Sequence, residues 1–327
     1  MKIVTANSGS YPRVGENDDQ LRLRKAYQKW EVGDLSEEEL EKVYQDYTEE
    51  IIKEQEKAGL DIVTDGQLRW YDPLSHFAYE IDGCEINGLL RYFDTNFYFR
   101  QPVVVDDIES DQPIVKDEFV KAKKVATSKL KPVVTGPYTL SKYSIDKHYG
   151  DISQLTEDYA RIIANEVKSL SNAGAGEIQI NEPAILKNKE EYETFVKGME
   201  ILSEANEGSQ LNLQVYFGDS TPLYERFQDL PVDLLGLDFT YSPDLPDKIE
   251  EVGSEKLLGL GLVNARNTKM ENKDELVPLI KRIARAVDKD ELYLNPSCGI
   301  EFLPRKRAFE KLERMTEIAK EAEEDLE

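Results

Sequence analysis

The chain has 327 residues, 40% of them apolar, and a formal charge of −24 at pH 7 from 41 Lys and Arg against 65 Asp and Glu. Nucleic acid is held by basic patches, so that balance excludes it as the expected partner. No run of about 18 apolar residues is present to span a bilayer, and Cys84 and Cys298 are the only cysteines, too few for a disulfide framework and in keeping with a reducing cytoplasm.

Met1-Lys-Ile-Val-Thr is strand-like and lacks the charged, then apolar, layout of a signal peptide. The first strand is read as Lys2 to Ala6, followed by the glycine- and proline-punctuated loop Asn7 to Gly15. A long helical stretch comes next, with Ser36 as its cap and Glu39 completing a capping box. Asp61-Ile-Val-Thr64 is the second strand. Residues 66 to 131 form a long insertion that holds the aromatic run Arg91-Tyr-Phe-Asp-Thr-Asn-Phe-Tyr-Phe-Arg100.

Pro132-Val-Val-Thr135 is the third strand, and Gly136-Pro-Tyr-Thr139 reads as a tight turn after it. The period from Leu155 to Ala173 predicts a helix. Glu177-Ile-Gln-Ile180 is the fourth strand, stopped by Asn181, Glu182 and Pro183 because proline cannot continue a central ladder. Leu211 to Tyr216, Leu234 to Leu237, Leu258 to Val263 and Leu292 to Leu294 complete eight strands, with a further helix from Glu275 to Val287. Alternating strands and helices argue for a parallel sheet. Eight such units point to an α/β fold, a single (β/α)8 TIM barrel over residues 1–327, with a rim insertion at about 66–131 after strand 2. An open doubly wound sheet is the alternative.

Ligands meet the carboxyl ends of strands in such folds. Those ends carry Asn7, Asp65, Thr135, Asn181 with Glu182, Tyr216, Asp238, Asn264 and Asn295. Some of these cap the next helix, and the others are expected to line a pocket for a small polar metabolite. Arg266, in Asn264-Ala-Arg-Asn267, is placed to grip a carboxylate or to make a structural ion pair. Cys298 lies in a turn beside the last strand. Neither a GxGxxG nor a Walker loop is present. His76 and His148 are the only histidines and neither ends one of the eight strands, so a thiol–histidine metal site is hard to assemble. A carboxylate site from Asp65, Glu182 and Asp238 stays open.

Seven motifs in order carry a resemblance over essentially the whole chain: Ser10-Tyr-Pro-Arg-Val-Gly15, Asp65-Gly-Gln-Leu-Arg-Trp-Tyr-Asp72, Tyr92-Phe-Asp-Thr-Asn-Phe-Tyr98, Lys131-Pro-Val-Val-Thr-Gly-Pro137, Ile178-Gln-Ile-Asn-Glu-Pro-Ala184, Gly261-Leu-Val-Asn-Ala-Arg-Asn267 and Ser297-Cys298. Together they resemble the cobalamin-independent methionine synthase family, whose full-length members have two related barrels. The pairing of Trp70-Tyr-Asp72 with Tyr92-Phe-Asp-Thr-Asn96 is more similar to the N-terminal, non-zinc barrel. The resemblance implies methyl transfer from methyltetrahydrofolate polyglutamate to homocysteine, with zinc holding the sulfur as a thiolate.

The family's zinc ligands are a His-x-Cys pair after strand five, a Glu after strand six and a Cys after strand eight. Here Gln214-Val-Tyr216 ends strand five, Asp238 stands in the Glu region, and Cys298 is the residual ligand position, so no cofactor is expected in this chain. Asn181 replaces the acid that helps grip the homocysteine amine, while Ser10 matches the serine near the amino-acid carboxylate. Arg22, Arg24, Lys25 and Arg91 match the basic residues for the folate tail, or else pair with surface acids. The implied role is the folate-side barrel working with a separate zinc-bearing barrel. The alternatives are a non-catalytic scaffold and a different methyl or thiol transfer. No catalytic residue is assigned.

Overall fold

The apolar runs of the sequence become parallel strands, and the periodic stretches between them become helices. The computed structural model describes residues 1–324 and 326; Asp325 and Glu327, part of the acidic C-terminal run, lie outside the described residues. In chain order the strands are β1 (Lys2–Thr5), β2 (Ile62–Val63), β3 (Asp82–Arg91), β4 (Tyr98–Glu109), β5 (Lys129–Leu130), β6 (Val133–Thr135), β7 (Ile145–Asp146), β8 (Glu177–Asn181), β9 (Gln210–Val215), β10 (Leu234–Asp238), β11 (Leu257–Val263) and β12 (Glu291–Pro296). The helices are α1 (Arg22–Glu31), α2 (Glu37–Lys57), α3 (Ser75–Ala78), α4 (Lys116–Lys123), α5 (Pro137–Tyr143), α6 (Ile152–Asn172), α7 (Tyr192–Ala205), α8 (Tyr224–Phe227), α9 (Leu245–Val252), α10 (Lys273–Ala284) and α11 (Arg305–Glu324). Among the described residues no helix is long and apolar enough to cross a membrane.

The chain divides into two units, one of Met1–Arg69, Glu118–Lys131 and Pro246–Glu327, the other of Trp70–Asp117 and Pro132–Leu245. In the first, β1 and β11 both pair with β12 in parallel, and Ala6 bridges Ile62 to bring β2 alongside. In the second, β6, β8, β9 and β10 pair in that order, all parallel. Eight parallel strands, four in each unit and most of them followed by a helix, are the α/β (β/α)8 class expected from the sequence. The insertion after strand two contains the antiparallel hairpin β3–β4, to which β7 adds.

Helix ends obey local chemistry. Ser36 Oγ accepts from Glu39 N–H at 3.2 Å while Glu39 Oε2 accepts from Ser36 N–H at 2.9 Å, the capping box that starts α2. Helix α6 starts where Asp151 accepts from Ser153 N–H at 2.9 Å. Its middle carries Glu166, almost fully buried, which accepts from Ile114 N–H; burial pushes its carboxyl up to about 7.

In the first unit a buried arginine fastens α11 to α2. Arg305 is 1% exposed and donates to Glu54 Oε1 and Oε2 at 2.7 and 3.0 Å and to Glu50 at 2.6 Å. Only the arginine is fully buried; the Glu50 and Glu54 side chains are 31% and 24% exposed, so removing Arg305 leaves two half-exposed carboxylates facing each other on α2. Arg305→Ala is expected to lose about 1.5–3 kcal/mol of unfolding free energy in urea titration; a loss under about 1 kcal/mol would show that α11 is held by its apolar face alone.

Candidate functional site

In the second unit the chemistry gathers at the carboxyl ends of β8, β9 and β10. Strands β8 and β9 alternate strictly, so Glu177, Gln179 and Asn181 share one face with their register partners Gln210, Asn212 and Gln214. These groups bond one another: Gln179 Nε2 to Asn181 Oδ1 at 2.8 Å, Gln210 Nε2 to Asn212 Oδ1 at 2.9 Å, and Asn212 Nδ2 to Glu177 Oε2 at 3.1 Å.

Glu182 turns back across the end of β6. Its Oε1 accepts from Tyr138 N–H at 2.9 Å, and its Oε2 accepts from Thr139 N–H at 2.7 Å and Thr139 Oγ1 at 2.6 Å. The carboxyl is fully buried, and burial pushes it up to about 7 against those three donors. Gly136 lets the carboxyl lie close, because an added Cβ would stand 2.2 Å from the Glu182 carboxyl carbon and force it to move. The stretch read from the sequence as a tight turn is the start of α5, and its Tyr138 and Thr139 backbone donors are engaged by this carboxyl. Asp238 plays a similar part: it accepts from Phe217 N–H at 3.2 Å, Thr240 N–H at 2.9 Å and Thr240 Oγ1 at 2.6 Å.

The hairpin turn supplies an aromatic wall. Tyr92 and Phe93 lie 6.2 and 5.4 Å, centroid to centroid, from Phe217, the residue that follows Tyr216 at the end of β9. Phe217 takes φ +65, the left-handed region, which aims its ring at the hairpin. Asp72 fixes the approach by accepting from Leu74, Ser75 and Arg100 N–H groups at 2.9, 2.6 and 3.0 Å.

In the first unit, Asn7 donates to Gln55 Oε1 and Thr64 Oγ1, both at 3.0 Å. Ser10 Oγ donates to Glu301, a partner the sequence reading missed because it lies five residues beyond β12. Burial raises the Glu301 carboxyl, and Gly299 leaves room for the pair. Asp65 is half-buried and also raised by burial; it accepts from Gln67 N–H at 3.0 Å and lines a cavity of about 210 Å³ with Arg69 and Lys121. Asn264 Oδ1 accepts from Arg266 N–H at 2.9 Å, and the Asn264 carbonyl accepts from buried Lys311 at 2.7 Å. The Arg266 side chain is half-buried. Cys298 is 1% exposed, with its thiol against the Gly299 carbonyl at 3.4 Å.

The four basic candidates fare differently. Arg22 pairs with Glu50 at 2.5 Å and lies over the Tyr47 ring. Lys25 pairs with Asp18 at 3.0 Å. Arg91, in the second unit, donates to the Thr95 carbonyl and faces Asp94 at 3.7 Å. Arg24 is exposed and has no ion pair among the described residues.

The residues at the family's zinc positions do not fit the metal. Gln214 offers an amide whose Nε2 is buried without a partner, Tyr216 is a phenol, and both Asp238 oxygens are engaged in the loop. Elsewhere Asp106, Asp107 and His148 bring ligand atoms within 4.8 Å of one another, all exposed, with His148 Nε2 2.8 Å from Asp107 Oδ1.

Comparison with known proteins follows the same outline. The family profile described as "Cobalamin-independent synthase, Catalytic domain" matches residues 3–321. A protein named "Methionine synthase" from Saccharolobus solfataricus is 34% identical over 330 residues, covering 99% of this chain and 96% of its own. One of the same name from Sulfurisphaera tokodaii is 33% identical, covering 99% and 94%. Among solved structures, a B12-independent methionine synthase from Shewanella sp. W3-18-1, in complex with selenomethionine, superposes with TM-score 0.81 at 21% identity over 100% of this chain and 99% of that one. At that identity the likeness shows the fold.

Glu182 gives a pH signature. Its folded pKa, about 7, lies above the ordinary 4.5, so the stability of the protonated form is fully present below about 4.5 and is lost as pH rises to about 7. Glu182→Gln is expected to remove ~3 kcal/mol of that decline in denaturation series across the window. Glu166 contributes with the same sign and keeps the remainder. An unchanged pH slope in the variant would place the Glu182 titration outside this range.

Proposed function

The chain belongs to the cobalamin-independent methionine synthase family, and from that premise we propose that it takes part in methyl transfer from methyltetrahydrofolate polyglutamate to homocysteine as a folate-side barrel working with a separate zinc-bearing barrel. The observation that carries this reading is the end of β9, where Gln214 and Tyr216 stand in place of a His-x-Cys pair. With no group there to hold a metal thiolate, sulfur activation falls to the partner.

This chain's own residues then bind and orient. Phe93, half-buried at the hairpin turn and backed by buried Tyr92 and Phe217, offers an aromatic contact to a flat heterocycle. In the first unit Arg24 is free to meet a glutamate tail, with Arg22 and Lys25 exchanging their present acids for it; Arg91 is the corresponding candidate of the second unit, taken by itself. Ser10 with Glu301, Asp65, Asn264 and Arg266 belong to the same reading as polar contacts of the first unit, and Asn181 and Asp238 as those of the second. Residues 1–327 are taken as one barrel with a rim insertion at about 66–131. A scaffold role is the second reading, and it is favoured by the engagement of Glu182 and Asp238 in loop contacts, which leaves neither oxygen pair free for chemistry.

Three measurements test the proposal. The purified chain is expected to hold zinc well below one equivalent and to transfer methyl only when a zinc-bearing barrel of the family is added. Stoichiometric zinc with turnover by the chain alone would overturn it. Calorimetry with triglutamated methyltetrahydrofolate is expected to show binding that Arg24→Glu weakens about threefold at low salt, the scale of one exposed charge pair. Absence of binding would favour the scaffold.

A further inference from the structure

One buried polar group of the second unit has nothing to bind. Gln214 is 4% exposed, and its Nε2 finds no hydrogen-bond partner among the described residues. An unsatisfied buried N–H₂ loses its water without a replacement, so such groups are kept where a ligand or ordered water completes them.

The amide is oriented from its other end. Gly236 of β10 is the register partner of Gln214, and an added Cβ there would stand 2.0 Å from Gln214 Oε1. The carbonyl end is thus parked over bare glycine, and the amino end turns away from it. On the other side Asn181 of β8 is the register partner of Gln214. Asn181 Oδ1 accepts from Gln179 Nε2 at 2.8 Å, which fixes that amide too, and no described residue accepts from Asn181 Nδ2. Partners in a parallel ladder project to one face from strands about 4.8 Å apart. Two neutral donors therefore stand side by side at the carboxyl ends of β8 and β9. The adjacent carboxylates do not compete for them, since Glu182 and Asp238 each hold three other donors.

We propose that Gln214 and Asn181 form a two-donor cradle for an oxygen acceptor on the ligand, a carboxylate or carboxamide oxygen. Side-chain N–H₂ groups have no lone pair to give a cation, so the cradle selects against metals and in favour of hard acceptors. The inference rests on these two side chains and not on methyl transfer, so its failure leaves that proposal standing.

The test uses the full chain and ¹⁵N TROSY spectra of the side-chain N–H₂ resonances of Gln214 and Asn181. Sodium acetate and acetamide are titrated as oxygen probes, with dimethyl sulfide as the sulfur control. A saturable shift of both resonance pairs by acetate or acetamide is expected, and the better probe tells a charged acceptor from a neutral one. Gln214→Met should weaken that probe about tenfold, the effect of losing one buried hydrogen bond, while the melting temperature holds or rises. Silence from both oxygen probes, an equal response to dimethyl sulfide, or unchanged binding in the variant overturns the cradle. If Gln214→Met does not fold, the titration of the unaltered chain decides alone.

Discussion

The inward face of β8 and β9 sets the terms for the second unit. Glu177, Gln179 and Asn181 face Gln210, Asn212 and Gln214 rung by rung. Buried polar groups are tolerable only when paired. A slip of one residue would turn Ile178, Ile180, Leu211 and Leu213 onto this face and send the amides into the helix-facing core. The ladder therefore has one register. That register decides where β8 stops, and the stopping point puts Glu182 within reach of the start of α5.

Strand-end acids in this molecule organise loops before they do anything else. Glu182 holds the start of α5 and Asp238 holds the turns after β9 and β10; Asp72, in the loop before α3, does the same for the approach to the hairpin. At the carboxyl ends of β8 and β9 the open hydrogen-bonding capacity lies on amides, at Gln214 and Asn181. The family profile that matches is that of a catalytic domain, and the end of β9 carries the neutral side chains Gln214 and Tyr216.

Much of the fold was legible because its signals are local. Each apolar run is a strand, Ser36 with Glu39 reads as a cap without any tertiary knowledge, and Pro183 ends β8. The site was less legible because its contacts are remote in sequence. Ser10 meets Glu301 across 291 positions, and Glu182 meets Thr139 across 43. The alternation Glu177-Ile-Gln-Ile-Asn181 and Gln210-Leu-Asn-Leu-Gln214 is visible in the sequence, and it was the available clue that the interior face is polar. The basic candidates show the opposite limit: a residue type marks a charge, but not the acid that already holds it, as with Arg22 and Glu50.

The fit of Gly136 against the Glu182 carboxyl has a historical implication. Any side chain at 136 would displace that acid and release Tyr138 and Thr139 together. The loops after the third and fourth barrel strands therefore cannot drift separately over descent. Exchanges at 181 and 214, by contrast, touch side chains that hold no second loop in place.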